Sequence, residues 1–126
     1  MAGLVRGLER FARMSVYVDK ARHPFKGYIM CHMTADSLTE LHEMADRLKV
    51  KRAYFQAPPK ASFPHYDIPE ARRALAISYG AREVNDRTCL HYAARLGLEW
   101  AINEADDQRL LRFQRTFDRT ATYALD

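Results

Sequence analysis

The sequence predicts an α/β fold: a small, at least partly parallel four-stranded sheet flanked by helices, with a helical C-terminal extension. Three observations carry this expectation. Short β-branched and aromatic runs alternate with amphipathic runs in the order strand, strand, helix, strand, helix, strand, an order that needs at least one parallel crossover. The length of 126 residues is that of one ordinary domain. The chain is 48% hydrophobic and 29% charged, the balance of a protein that buries a normal core.

The elements follow in order. Residues 4–13 read as a short basic amphipathic arm, with Leu4, Leu8 and Phe11 on one face and Arg6, Arg10 and Arg13 on the other. Ser15 to Asp19 reads as a strand from its β-branched and aromatic content. Residues 20–27, with Pro24 and Gly27, read as a loop. Tyr28 to Met33 is a second strand, apolar enough to be buried on both faces. Ser37 and Glu40 form a capping box for a helix whose stripe is Leu38, Leu41, Ala45 and Leu48.

Ala53 to Gln56 reads as a short third strand. A loop over 57–66 follows, containing Pro58, Pro59 and Pro64. The next helix is expected to start near Asp67, with Asp67 and Glu70 as its capping pair, and to end at Gly80. Ala81 to Asn85 is a fourth strand. A helix from Asp86 to about Arg95 should stop at Gly97. In the last helix, from about Asp106, Leu110, Phe113, Phe117, Ala121 and Ala124 form one side and Arg112, Arg115 and Arg119 the other. The organisation expected is an N-terminal arm over 1–13, a core domain over 14–88, and an extension over 89–126 that packs on the core or on a second subunit, making the C-terminal helix a candidate homodimer element.

Bulk chemistry narrows the classes. Net charge is +4 and the isoelectric point about 9.2, which favours anionic partners such as nucleotides, nucleic acid or acidic protein surfaces. Cys31 and Cys89 do not make a disulfide framework, and Cys31 lies in an apolar run, so a buried free thiol is expected there. No apolar run approaches the length that spans a bilayer, and Met1 to Arg13 lacks a signal-peptide core. A cytoplasmic location and no membrane partner are expected.

Several short motifs resemble one family. They are Tyr17-Val18-Asp19 with Arg22, Met30-Cys31-His32-Met33, Ala35-Asp36 with Glu40-Leu41-His42, Phe55-Gln56, His65-Tyr66-Asp67, Arg73, and Gly80-Ala81. Together, over residues 15 to about 88, they resemble the bacterial and phage family called domain of unknown function 4031. The resemblance implies a compact domain, sometimes joined to an HD-type phosphohydrolase domain, and no established activity. The chain carries no HD-type pair of its own.

Chemistry concentrates in the same stretches. In open α/β sheets ligands bind beyond the C-terminal strand ends, beside helix N-termini. This rule gathers residues 19–22, 32–37, 56–67 and 85–87 at one edge, with Ser37 and Asp67 starting helices on that edge. His32, His65 and Asp67 are the candidate catalytic residues, two imidazoles and a carboxylate suited to acid–base work on a phosphoester. His32, Asp36, His65 and Asp67 are candidate ligands for a divalent metal. His65 and Asp67 are two apart in an extended segment and should project to one side. The two histidine rings are expected roughly 4 to 7 Å apart if they share a ligand. Lys20, Arg22, Ser37, Lys60, Arg72 and Arg73 are the candidate phosphate-binding residues.

Cys31 and Ser62 are weak nucleophile candidates. His42 is expected at the core edge, and Trp100 in the core. Tyr66 and Phe63 could stack a base. The function these features suggest is binding of a nucleotide or nucleic-acid end, with hydrolysis of a phosphoester within its chemistry. The alternative is a non-enzymatic phage or bacterial accessory protein acting through its arginine-rich helices.

Overall fold

The computed structural model describes residues 15–20 and 22–125. The N-terminal arm expected over residues 4–13 lies outside them. The described residues form an α/β fold with five strands, one more than expected. Strand β1 is Val16–Val18, β2 His23–Phe25, β3 Tyr28–Ala35, β4 Tyr66–Pro69 and β5 Arg82–Glu83. Helices α1 Leu38–Arg47, α2 Glu70–Ser78, α3 Asp86–Asn103 and α4 Asp107–Arg119 surround them.

β3 organises the sheet. β1 pairs antiparallel with its C-terminal half, Val16 opposite Ala35, and β2 with its N-terminal half, Phe25 opposite Tyr28. β4 also pairs antiparallel with β3, with His32 opposite Asp67. β5 pairs parallel with β1 and is the expected crossover strand. The loop expected over 20–27 therefore contains a three-residue strand. Lys26 (φ 49) and Gly27 (φ 82) both take left-handed backbone, the two-residue turn whose twist suits a hairpin. Pro24 is tolerated because β2 lies at the sheet's edge. Beyond the turn, Tyr28 and Ile29 are exposed, so β3 is buried on both sides only toward its C-terminal end.

Alternation along the strands separates two faces. Val16, Val18, Cys31, Met33, Ala35, Tyr66 and Ile68 form one core with Leu41, Met44, Ala45 and Leu48 of α1 and Ala76 of α2. On the other face Tyr17 stacks on Tyr92 of α3 with ring centroids 4.0 Å apart, beside Val84 and Cys89. Residues 89–103 are thus part of α3, a layer against the sheet, and the boundary expected at 88 falls inside a helix.

Helix ends show which local signals were decisive. Ser37 caps α1, its Oγ accepting from the Glu40 N–H at 3.2 Å. The box is half closed, because the Glu40 carboxylate accepts from the Ser15 N–H instead. Gly80 (φ 106) ends α2 as expected. Two expectations are corrected. Ala53–Gln56 is a 3-10 turn over Arg52–Tyr54 followed by a single bridge between Gln56 and His65. Asp67 does not cap a helix: it lies inside β4, and α2 begins at Glu70 behind Pro69 with no side-chain cap. Tyr66 and Ile68 are both fully buried, and that period-two burial makes 66–69 a strand.

α3 runs through Gly97 to Asn103. A Cβ at Gly97 would stand 2.5 Å from the Phe113 ring, so this glycine admits α4 rather than ending α3. Phe113 is buried, Phe117 is half-buried, and Arg112, Arg115 and Arg119 are exposed, in line with the amphipathic reading of α4. Trp100 is half-buried rather than core.

The same helix pair buries His91, whose Nδ1 donates to the Thr120 Oγ1 at 2.8 Å while Phe117 stacks on its ring. Burial lowers the His91 imidazole below its ordinary value of 6.5. A lowered folded value means the stabilisation is present above about pH 6.5 and is lost as pH falls through the folded value. We expect thermal melts of the parent and a His91→Gln variant to differ most near pH 7.5, and the gap in Tm to narrow by pH 5. A gap that is flat or widens on acidification would refute the assignment.

Candidate functional site

His32 stands in the middle of β3, three residues before its end, and has a carboxylate on each side. Toward β1, the Asp19 N–H donates to the His32 carbonyl at 3.2 Å and the His32 N–H donates to Asp19 Oδ1 at 2.8 Å. Asp19 Oδ2 lies 2.6 Å from His32 Nδ1. Toward β4, Asp67 Oδ1 lies 3.9 Å from His32 Nε2. Asp19 is 3% exposed, so its charge is held by these contacts rather than by water.

His65 arrives from the proline-bearing loop, pinned by paired backbone hydrogen bonds with Gln56, each 2.9 Å. Its Nδ1 donates to the Phe63 carbonyl at 2.7 Å, leaving Nε2 3.2 Å from Asp67 Oδ1. His65 and Asp67 project to one side, as expected of residues two apart in extended chain. The His32 and His65 ring centroids are 5.3 Å apart, inside the expected range. Gln56 Nε2 donates to the second Asp67 oxygen at 2.7 Å.

Asp19, His32 and His65 open on a cleft of about 370 Å³, lined also by His23, Thr34, Ser62, Phe63 and, from α3, Asp86, Cys89, Leu90 and Ala93. Its electrostatics are unusual. The Asp19 hydrogen bond raises the His32 imidazole above its ordinary value, against the effect of burial. For Asp67 burial acts to raise the carboxyl, but the His65 imidazole, the Gln56 amide and His32 outweigh it and hold it below the usual carboxylate range. Two buried side-chain atoms among the described residues lack any hydrogen-bond partner, Thr34 Oγ1, which lines the cleft, and Asp67 Oδ1, which lies behind its two histidines.

The edge-binding rule located the site for the wrong reason. β3 and β4 are antiparallel, so α1 and α2 begin at opposite ends of the sheet and Ser37 and Asp67 do not share an edge. His32, His65 and Asp67 meet instead on a face, across one ladder. Asp36 is not with them: it accepts from the Tyr17 hydroxyl at 2.9 Å and pairs with Arg95 at 3.7 Å, at the far end of β3. Ser37 spends its hydroxyl on capping α1. Arg73 is structural, its Nε donating to the Asp19 carbonyl at 2.7 Å and its Nη2 to Glu83 at 3.1 Å.

Arg72 is exposed on α2, which packs on the other face. Lys20 is exposed just beyond Asp19, and Arg22 pairs at 3.6 Å with Asp86, a cleft residue. Lys60 lines a second groove of about 380 Å³ with Arg109 and Arg112, and Ser62 and Phe63 line both hollows.

The remaining candidates resolve simply. Cys31 and Cys89 are buried free thiols, and burial pushes the Cys31 thiol up to about 12, too high for a nucleophile. Tyr66 is a core residue whose hydroxyl meets His42 Nδ1 at 2.8 Å, so it stacks no base and His42 sits at the core edge. Phe63 packs on Phe113, with centroids 5.6 Å apart.

Asp19, His23, Gln56, Arg109 and Arg112 escaped selection as site residues. Asp19 and Gln56 had a signal: each ends one of the short motifs, Val18-Asp19 and Phe55-Gln56, and each begins a segment that the edge rule gathers, 19–22 and 56–67.

The match to known families fits this distribution. The model of the family described as protein of unknown function DUF4031 matches residues 16–99, about two thirds of the chain. The chain belongs to the DUF4031 family. The matched segment contains every residue of the cleft and reaches beyond the expected limit near 88, into α3, whose Cys89, Leu90 and Ala93 form one wall. No curated protein and no solved structure matches the chain. Among the described residues no helix is long and apolar enough to cross a membrane.

Proposed function

We propose that this DUF4031 domain binds a phosphate-bearing ligand, a nucleotide or nucleic-acid end, in the His32/His65 cleft and hydrolyses its phosphoester. The observation that carries the reading is the meeting of His32 Nε2 and His65 Nε2 around Asp67 Oδ1, at 3.9 and 3.2 Å, with both histidines lining one cleft. Three such groups, held by β-ladders and a backbone bridge, suit the activation of a water molecule. The anionic class of the ligand rests on the adjoining groove with Lys60, Arg109 and Arg112, and on the net charge of +4. In this reading the cationic groove takes the phosphate or the continuing strand, and the histidine cleft takes the bond to be broken. The interaction-protein alternative is favoured by no feature of this cleft, since it leaves the two imidazoles free to pack apart.

The test is hydrolysis of p-nitrophenyl phosphate, its bis-ester, nucleoside phosphates and end-phosphorylated oligonucleotides, with and without added divalent metal. The parent should turn over at least one class. His32→Ala and His65→Ala, each verified as folded, should reduce kcat on the order of 10²-fold or more. Arg112→Ala should raise KM for nucleotide or oligonucleotide substrates with little change in kcat. No turnover by the parent on any class, or two folded histidine variants as active as the parent, would remove this reading.

A further inference from the structure

The protonation pattern of the cleft is more specific than a general polar site. The Phe63 carbonyl can only accept, so His65 must carry its proton on Nδ1. The Asp19 carboxylate likewise holds the His32 proton on Nδ1. In their neutral forms both imidazoles therefore present a bare lone pair at Nε2, and both face Asp67 Oδ1, a buried oxygen that accepts no hydrogen bond. With both rings neutral, three electron-pair donors meet, Asp67 Oδ1 standing 3.2 Å from His65 Nε2 and 3.9 Å from His32 Nε2. Such an arrangement calls for a cation.

We propose that His32 Nε2, His65 Nε2 and Asp67 Oδ1 bind one divalent first-row transition-metal ion of the zinc, cobalt or manganese class. The inference deepens the hydrolytic reading and rests on the same cleft. The three ligand atoms lie within 4.8 Å of one another. Ligands on one tetrahedral or octahedral ion with bonds of about 2.0–2.2 Å are separated by about 3–3.5 Å. The His65–Asp67 separation of 3.2 Å already meets this, and the 3.9 Å between His32 and Asp67 needs a shift of about half an ångström.

Each ligand is also oriented from behind, as metal ligands usually are: His32 by Asp19, His65 by the Phe63 carbonyl, Asp67 by the Gln56 amide. Two imidazoles and one carboxylate exclude magnesium and calcium, which take oxygen ligands. Three protein ligands leave coordination positions open toward the cleft, where a bound water would be acidified and become the nucleophile. A competing set, Asp19, His23 and His32, also clusters closely. It is the poorer choice because Asp19 already accepts two hydrogen bonds from His32.

The experiment is metal binding, read independently of any activity. The full chain, stripped with chelator, is titrated with Zn²⁺, Co²⁺, Mn²⁺, Mg²⁺ and Ca²⁺ by calorimetry, elemental analysis and thermal melts. One Zn²⁺ or Co²⁺ per chain should bind at micromolar Kd or tighter, with Co²⁺ giving visible absorption bands and Tm rising by about 10 °C at a hundredfold excess over Kd. Mg²⁺ and Ca²⁺ should do neither. His65→Ala and Asp67→Ala should lose the site, and His23→Ala should keep it. Metal-free melts of each variant, and a His65→Gln variant, establish that loss of binding is not loss of fold.

No stoichiometric transition-metal binding by the parent, or binding unchanged in His65→Ala, His65→Gln and Asp67→Ala, would overturn the proposal. So would loss in His23→Ala with retention in the other variants, which would move the metal to the competing set. Metal binding without hydrolysis would remove the hydrolytic reading alone. Hydrolysis that persists in chelator by a metal-free parent would remove the metal's part in hydrolysis alone.

Discussion

Gly97→Ala is expected to destabilise the protein by about 1–3 kcal/mol, the usual cost of forcing an extra group into a packed core. Helix propensity argues for the opposite sign, since alanine is favoured over glycine inside a helix by about 1 kcal/mol. Packing decides. The added Cβ would stand 2.5–2.7 Å from three atoms of the Phe113 ring, closer than any real contact, and the ring is itself only 4% exposed. Phe113 cannot swing away freely, because Phe63 packs against it. The strain therefore spreads to the α3–α4 pair and to the loop that carries His65. Denaturant melts should show the loss, and Gly97→Ala combined with Phe113→Leu should recover part of it through coupling of the two sites. A Gly97→Ala variant as stable as the parent would mean that α4 does not pack as described.

Asp19→Asn is expected to leave the fold nearly intact and to lower transition-metal affinity on the order of 10–100-fold, the usual cost of disturbing a group behind a metal ligand. The asparagine oxygen can still accept from the His32 N–H, now made by Asp19 Oδ1 at 2.8 Å. The other atom becomes an NH₂, which can only donate. It would face His32 Nδ1, now 2.6 Å from a carboxylate oxygen. Nδ1 must then become the acceptor, and the proton moves to Nε2, the atom required as a ligand. A change of one heavy atom, on a residue that touches no metal, thus reverses the imidazole. Calorimetric titration with Co²⁺, alongside a melt of the metal-free protein, measures both halves of the expectation. Unchanged affinity, or a collapse of the metal-free fold, would show that Asp19 does not act by setting the His32 tautomer.

Much of the fold was legible because local signals were strong and unopposed. The Leu38–Leu41–Ala45–Leu48 stripe, the Ser37 cap and the Gly80 stop each specify one structure, and each is found. Errors arose where a local signal had two meanings. Asp67 followed by Glu70 reads as a capped helix start, yet the alternating burial of Tyr66 and Ile68 makes it a strand. Gly97 reads as a helix stop, yet it is a socket for a ring sixteen residues later, which no local pattern can reveal.

The histidine pair was legible because its chemistry is rare in the chain: two imidazoles in the stretches richest in short polar motifs. Their meeting place was not, because it depends on antiparallel pairing of β3 with β4. Asp36 was misplaced for the same reason, since strand direction decides which end of β3 a residue occupies. Asp19 was passed over because a carboxylate after a strand has many duties, and only the register at His32 shows which one it performs.

Two of the three donors, His32 and Asp67, come from the interior of a sheet rather than from loops. His32 and Asp67 sit opposite each other on the β3–β4 ladder, and Asp19 is tied to the backbone of His32 as well as to its ring. The site therefore has little freedom to unfold by itself: it persists while β3 keeps its neighbours and is lost when they part. Evolution of such a centre is constrained accordingly. Variation that loosens the sheet erodes ligation in step, whereas the rim, with Lys60, Arg109 and Arg112, can drift and change what is recognised without disturbing the donors beneath.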